Sequence, residues 1–372
     1  MKLRVTVVLL LTAGFLAMVL WGQDWQASAD ALRRTHWFFM VPMFTAYLAA
    51  HSLRAWRLGL LLDAEVPYRR LFSINTVGFL AINVLPLRLG EMVRPYLLRE
   101  RQGVPFAKGL AAIFLERLLD MAMLLVFLLG LVTFVDLPED GLLVRVGEEG
   151  IALDLDGVLT WVYGQSLPGE VLPAGIDVIG AGQRIAGTIL GVGVAGGVVL
   201  VAVGRPMIAL MERLPKGKLI ADFATRFREG FVSLLKNPAR GLLLGCITGM
   251  IWMITLVAIY SVMWAFPGVR EYFTDPWVAF QGTWSTWTIT LTGMSTIPTP
   301  GFVGVFEGSC AIGLFLWGIG PDIGRTFALL LHAGQLSFIV VLGTIFMVVE
   351  GLNMRDLVRP SAKVNSDAPP DD

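Results

Sequence analysis

The chain has 372 residues, 55% of them hydrophobic and 16% charged, with a mean hydropathy of +0.70. A soluble domain carries about 25% charged residues, so this composition leaves too few polar groups to wet a soluble surface. The 29 basic and 29 acidic residues cancel, giving no bulk basic excess for nucleic acid, and the two cysteines and three histidines lack the spacing of a disulfide framework or a zinc site.

Several apolar runs are long enough to cross about 30 Å of hydrocarbon, which takes about 20 helical residues. The first, residues 5–21, follows Lys2 and Arg4. Ala27-Ser28-Ala29 resembles a cleavage site, but the run is long and separated from it, so an uncleaved membrane helix is expected. The second run is 37–62, where His51, Arg54 and Arg57 recur every third residue near one end. That pattern fits headgroup anchors whose charged tips snorkel. Residues 71–87 are short for a crossing and lie between Arg69-Arg70 and Arg88. They read as re-entrant, a form tolerated at membrane depth only when buried in protein or lining a wet cavity. Next comes Pro86-Leu87-Arg88-Leu89-Gly90-Glu91-Met92-Val93-Arg94. Pro86 ends the apolar segment and Gly90 lets backbones approach. A helix resuming here puts Arg88, Glu91 and Arg94 on one face, and an arginine fork matches two phosphate oxygens at once.

Glu116, Arg117 and Asp120 lie inside the third span, 107–135. Each charge at membrane depth costs about 2.5–3.5 kcal/mol on insertion scales and calls for a reason. Asp120 lies roughly 20 Å along the helix from Ala107, and it shares a face with Glu116 and Arg117. The cluster is either a self-neutralising lock between helices or a polar site in the path of a charged substrate.

Residues 137–182 carry Arg145 against Glu139, Asp140, Glu148, Glu149, Asp154, Asp156, Glu170 and Asp177. Within them, 142–146 and 151–153 flank a Gly turn and read as a β-hairpin. Leu153-Asp154-Leu155-Asp156-Gly157-Val158 looks like the first motif of haloacid-dehalogenase phosphatases, but the segment is too short for their α/β core. After the span 184–204 comes a basic stretch, 205–240. Its Phe223, Phe227 and Phe231 form a stripe beside Arg226, Arg228 and Lys236, fitting a helix on the inner leaflet or one docked on the bundle.

The span 241–266 precedes an interrupted segment, 277–320, dense in hydroxyls from Thr283 to Thr299. It breaks at Pro298-Thr299-Pro300-Gly301 and carries Glu307 beyond. Hydroxyls can satisfy a broken helix locally or make a wettable wall. The last span is 326–350, and a Pro/Asp-rich tail, 361–372, is expected to be disordered.

Basic flanks favour the cytoplasmic side. They place both termini, 88–108 and 205–240 inside the cell and 137–182 outside, in the cell (inner) membrane. The expected fold is an all-α polytopic membrane protein, a single domain over 1–360. It has six full transmembrane helices plus two broken or re-entrant hairpins, or eight crossings. The two interrupted segments share an outline of apolar half, Pro, Gly and Glu and enter from opposite faces, the plan of an inverted repeat in transporters.

Three stretches in this order are similar to the flippase-like transmembrane domain of lysylphosphatidylglycerol synthases. They are Pro86-x-Arg88-x-Gly90-Glu91-x-x-Arg94, Glu116-Arg117-x-x-Asp120 and Pro298-x-Pro300-Gly301-x-x-Gly304-x-x-Glu307. With their membrane context they cover about 36–350, and the family's glycine after Pro-Gly is Phe302 here. The resemblance implies a domain that helps polar lipids cross the bilayer, with substrate contacts on Arg88, Glu91, Arg94, Glu116, Arg117, Asp120, Pro298, Gly301 and Glu307. No aminoacyl-transferase segment follows in this sequence, so aminoacylation of lipid is not expected from this chain alone.

The leading expectation is therefore a lipid flippase or polar-lipid transporter working by alternating access, for an anionic phospholipid or an isoprenoid-linked substrate. Without a P-loop, ATP is not its direct drive. No cofactor, metal or nucleic-acid partner is expected, and it is not read as an enzyme. The alternatives are a membrane enzyme acting on a lipid-linked phosphate, with Glu116 or Asp120 as base, and a non-transporting helper that binds a lipid or a lipid-synthase partner. The transport reading requires buried charges from distant parts of the chain, Arg88, Asp120 and Glu307 among them, to share one wet pocket.

Overall fold

The structure, a computed structural model, describes residues 23–63, 65–85, 90–135, 217–273, 275–296 and 299–352, three short strands, and a few isolated positions. The spans expected at 5–21 and 184–204, most of the 137–182 loop and the tail lie outside the described residues.

Helices dominate. In chain order they are α1 (Trp25–Arg33), α2 (Met40–Leu62), α3 (Tyr68–Val84), α4 (Val93–Gln102), α5 (Phe106–Phe134), α6 (Gly217–Lys236), α7 (Pro238–Ala265), α8 (Pro276–Thr296), α9 (Val305–Phe315) and α10 (Pro321–Val349). Among the described residues, α7 and α10 are long and apolar enough to cross a membrane. The β-hairpin forms as expected: Val144–Gly147 pairs antiparallel with Gly150–Leu153, with Val144 opposite Leu153. A third strand, Ile176–Asp177, adds to it; two residues are too few for a periodicity signal.

Both interrupted segments are helix–break–helix hairpins, α3 with α4 and α8 with α9, and the arms of each pack on one another. The first differs from its sequence reading. Residues 68–84 make one unbroken helix, and the return arm is α4, which begins at Val93. The glycine inside α3 serves packing rather than a turn, because a Cβ at Gly78 would collide with the Arg94 side chain. Gly90 has the role its type predicts: a Cβ there would run into the α3 backbone at Ala81 and Ile82.

The chain divides into two compact units. Unit 1 comprises 1–47, 123–192 and 253–335, and unit 2 comprises 48–122, 193–252 and 336–372. Unit 2 contains the α3/α4 hairpin around an aliphatic cluster that includes Leu58, Leu62, Ile74, Val77, Leu98 and Ala112. In unit 1, the α8/α9 hairpin packs tightly enough that a Cβ at Gly313 would lie 2.6 Å from the Thr286 Cα. Aromatic contacts fill the rest of unit 1: Trp284 stacks on Phe127 at 4.5 Å, and Phe266 meets Phe327 edge-on at 6.0 Å. At its edge Asp24 caps α1, accepting from the Gln26 and Ala27 N–H groups. Gln23 and Ser28 bond Thr326 of α10.

Candidate functional site

Three helices of unit 2 bring charges to one buried place, and a fourth adds a hydroxyl and an indole. Arg57 of α2 has no solvent exposure, and Arg94 of α4, Glu116 and Asp120 of α5 are also buried. Arg57 grips Asp120 with both ends of its fork, Nη1 to Oδ1 at 2.8 Å and Nη2 to Oδ2 at 3.3 Å. Its Nη1 also donates to the Thr248 hydroxyl of α7 at 3.0 Å. Arg94 Nη2 donates to Glu116 Oε2 at 2.6 Å. Arg117, partly exposed, lies 3.4 Å from Asp120. The Trp252 indole N–H completes the shell at 3.5 Å from Asp120.

The network is unfinished in two respects. First, guanidiniums outnumber carboxylates: Arg57, Arg94 and Arg117 face Glu116 and Asp120. Arg54 adds a fourth cation close by. It has no ion-pair partner among the described residues, and its guanidinium lies 5.3 Å from the Phe79 ring centroid, with Arg94 at 5.7 Å from the same ring. Second, several atoms are buried without a hydrogen bond. These are the Nε atoms of Arg57, Arg94 and Arg117, Glu116 Oε1, and both polar atoms of Asn75. Arg57 Nε and Glu116 Oε1 are 3.8 Å apart, too far to bond. Asn75 is three residues from Gly78, which abuts Arg94, so it shares that face of α3. An anion with several acceptor oxygens matches the surplus of cations and the unbonded donors, the three Nε–H groups and the Asn75 amide N–H, while Glu116 Oε1 and Asn75 Oδ1 call for donors.

The anchor reading of His51 and Arg57 is corrected here. His51 is buried between Phe79 and Phe338 with ring centroids at 5.1 and 5.4 Å, and Arg57 is the centre of the network. The sequence signalled that some cation must meet the net negative charge of Glu116, Arg117 and Asp120 at membrane depth, but no local signal singled out Arg57. Thr248 and Trp252 had none either, since nothing local marks one hydroxyl or indole in an apolar helix.

Glu307 belongs to unit 1. Its Oε2 accepts the Gly304 N–H at 2.7 Å, capping α9, and its Oε1 lies 2.7 Å from His332 Nδ1. Both side chains are buried, and the His332 ring stacks on Phe306 at 4.2 Å. The hydroxyls of α8 mostly satisfy their own helix, Thr283, Thr288, Thr290 and Thr292 each bonding the carbonyl four residues back. Thr286 Oγ1 and the Trp287 indole N–H stay unbonded. Of the expected site residues, then, Arg94, Glu116, Arg117 and Asp120 come together. Glu91, half-buried in the turn before α4, makes no ion pair among the described residues. Arg88 and Pro298 lie outside the described residues. Among the described residues no three His, Cys, Asp or Glu side chains form a metal set.

A family model for the lysylphosphatidylglycerol synthase TM region matches residues 4–343. The chain belongs to that family. No curated protein and no solved structure matches it. In this member of the lysylphosphatidylglycerol synthase TM-region family, the turn before α9 has an unusual backbone. Gly301 and Phe302 both take φ of 59°, so Phe302 holds a left-handed backbone. Phenylalanine adopts it at a steric cost that glycine avoids.

Proposed function

We propose that this membrane protein moves an anionic lipid headgroup across the inner cell membrane by alternating access, without ATP and without chemistry on the lipid. The observation that supports this most is the excess of guanidinium over carboxylate in the buried unit 2 network, together with its unbonded Nε atoms. A phosphate supplies the missing negative charge and acceptor oxygens, and the arginine forks suit its geometry. The cations in turn offset part of the cost of taking that phosphate out of water. The basic flanks support cytoplasmic termini.

The reading is tested by reconstituting the protein in vesicles and following leaflet exchange of fluorescent phosphatidylglycerol and phosphatidylcholine. Protein-dependent exchange of the anionic lipid is the expected result. Absence of exchange for both lipids, with folded protein, would count against transport. Turnover of a lipid-linked phosphate in detergent, where no leaflets exist, would favour an enzyme.

A further inference from the structure

Unit 2 contains a concavity of about 270 Å³ that shares no residue with the ion network. Its polar lining is Asp63 at the end of α2, Lys108 at the start of α5, Arg226, Glu229 and Ser233 on α6, and Arg240 at the start of α7. Here too cations exceed carboxylates. Lys108 Nζ donates to the Asp63 backbone carbonyl at 3.1 Å, which accounts for one of its three ammonium donors. Arg240 Nη2 donates to the Leu60 carbonyl at 2.6 Å and lies 3.4 Å from the Asp63 carboxylate. Arg226 pairs with Glu229 at 3.4 Å, and both are half exposed.

The helix that forms one wall is amphipathic. Phe223, Phe227 and Phe231 form a ladder along α6, and Phe223 packs against Phe114 of α5 at 5.1 Å. The phenylalanine stripe thus docks α6 on α5. Yet Ile220 and Leu235, near its two ends, are 57% and 62% exposed. Exposed apolar residues on a cationic amphipathic helix are what a helix at the membrane surface presents to lipid. The cavity thus opens beside a surface suited to the headgroup level, on the flank that the basic loops assign to the cytoplasm.

We propose that this cavity binds the phosphate of an anionic phospholipid from the adjoining leaflet, with Lys108, Arg226 and Arg240 as donors. The site is regulatory. Lys108 and Arg240 are the groups that hold the C-terminal end of α2, the helix carrying Arg54 and Arg57. Lys108 also stands about 12 Å along α5 from Glu116. A bound headgroup competes with the α2 carbonyls for these donors, and so adjusts the two helices that carry the Arg57–Asp120 pair. The regulatory role rests on the transport reading above, whereas the lipid binding itself does not.

The test is native mass spectrometry of the full-length protein released from nanodiscs of mixed phosphatidylcholine and phosphatidylglycerol. Wild type is expected to retain phosphatidylglycerol in preference to phosphatidylcholine. Lys108→Gln/Arg226→Gln should weaken that retention by about ten-fold or more, the effect of losing two charge-assisted bonds. Ser233→Trp, which fills the cavity and keeps every charge, should do the same. If one variant fails to fold, the other decides. Undiminished retention in the folded variants, or equal retention of the two lipids by wild type, overturns the proposal. Displacement of the lipid by inorganic phosphate at millimolar concentration also overturns it, because the ligand is then the free anion.

Discussion

A guanidinium with no solvent exposure must find all its compensation inside the protein, and Arg57 finds it in Asp120, Thr248 and Glu116. Removing one member of such a pair strands the other. Arg57→Gln or Asp120→Asn is therefore expected to lower stability by about 3–5 kcal/mol, measured by thermal or denaturant unfolding in detergent. Replacing both with apolar residues, Arg57→Met with Asp120→Leu, should return most of that loss, because the fully buried pair goes together and only the partly exposed Arg117 loses a partner. A double variant as unstable as the single ones would refute the pairing. Half of this pair was legible in the sequence. Asp120 stands out because a carboxylate deep in an apolar run is costly. Arg57 does not, because an arginine near a helix end looks the same whether it snorkels or turns inward. What separates the two cases is the arrival of Asp120 and Thr248 from distant segments, and no local pattern records that.

At the scale of elements, the two hairpins turn on backbone contacts that their sequences announce. Gly90 abuts the α3 backbone, so Gly90→Ala forces the break to open. The expected cost is about 1–3 kcal/mol, the range for overpacking, read as a fall in unfolding midpoint. An unchanged midpoint would mean that the hairpin is looser than described. In α8/α9 the cap is Glu307, and Glu307→Ala should cost about 1 kcal/mol for the lost Gly304 N–H bond, and more for the stranded His332. Glu307→Gln, which keeps an acceptor for Gly304, should cost less, and equal losses would contradict the capping role. The Pro and Gly positions were readable because each is a local steric statement. The exact arms were not: 71–87 looked like a whole excursion, because no local signal shows that the chain continues straight to Val84 and returns only through α4. His332 was missed because a single histidine in an apolar helix is ambiguous until its carboxylate partner is known.

For the molecule as a whole, composition alone led to a helical membrane protein, and the match over 4–343 agrees with the three charged and Pro-Gly stretches that carried the likeness. The expectation that Asp120 and Glu307 share one pocket rested on the outline of those stretches. In the structure the arginine-rich network belongs to unit 2 and the Glu307–His332 pair to unit 1. Two polar centres of different character result, one with surplus cations and one built on a single carboxylate. Sequence order could not reveal that division, because it depends on which halves of the long helices pack together.

The central claim is that the buried arginine network handles an anionic headgroup rather than merely locking helices. The most direct measurement is leaflet exchange of phosphatidylglycerol by the Arg57→Met/Asp120→Leu protein in vesicles, beside wild type, with both shown to unfold at similar temperature. The account predicts exchange slowed by about a hundred-fold, the effect of losing a buried charge contact worth roughly 2–3 kcal/mol to the moving headgroup. Exchange at the wild-type rate by the folded double variant would contradict it.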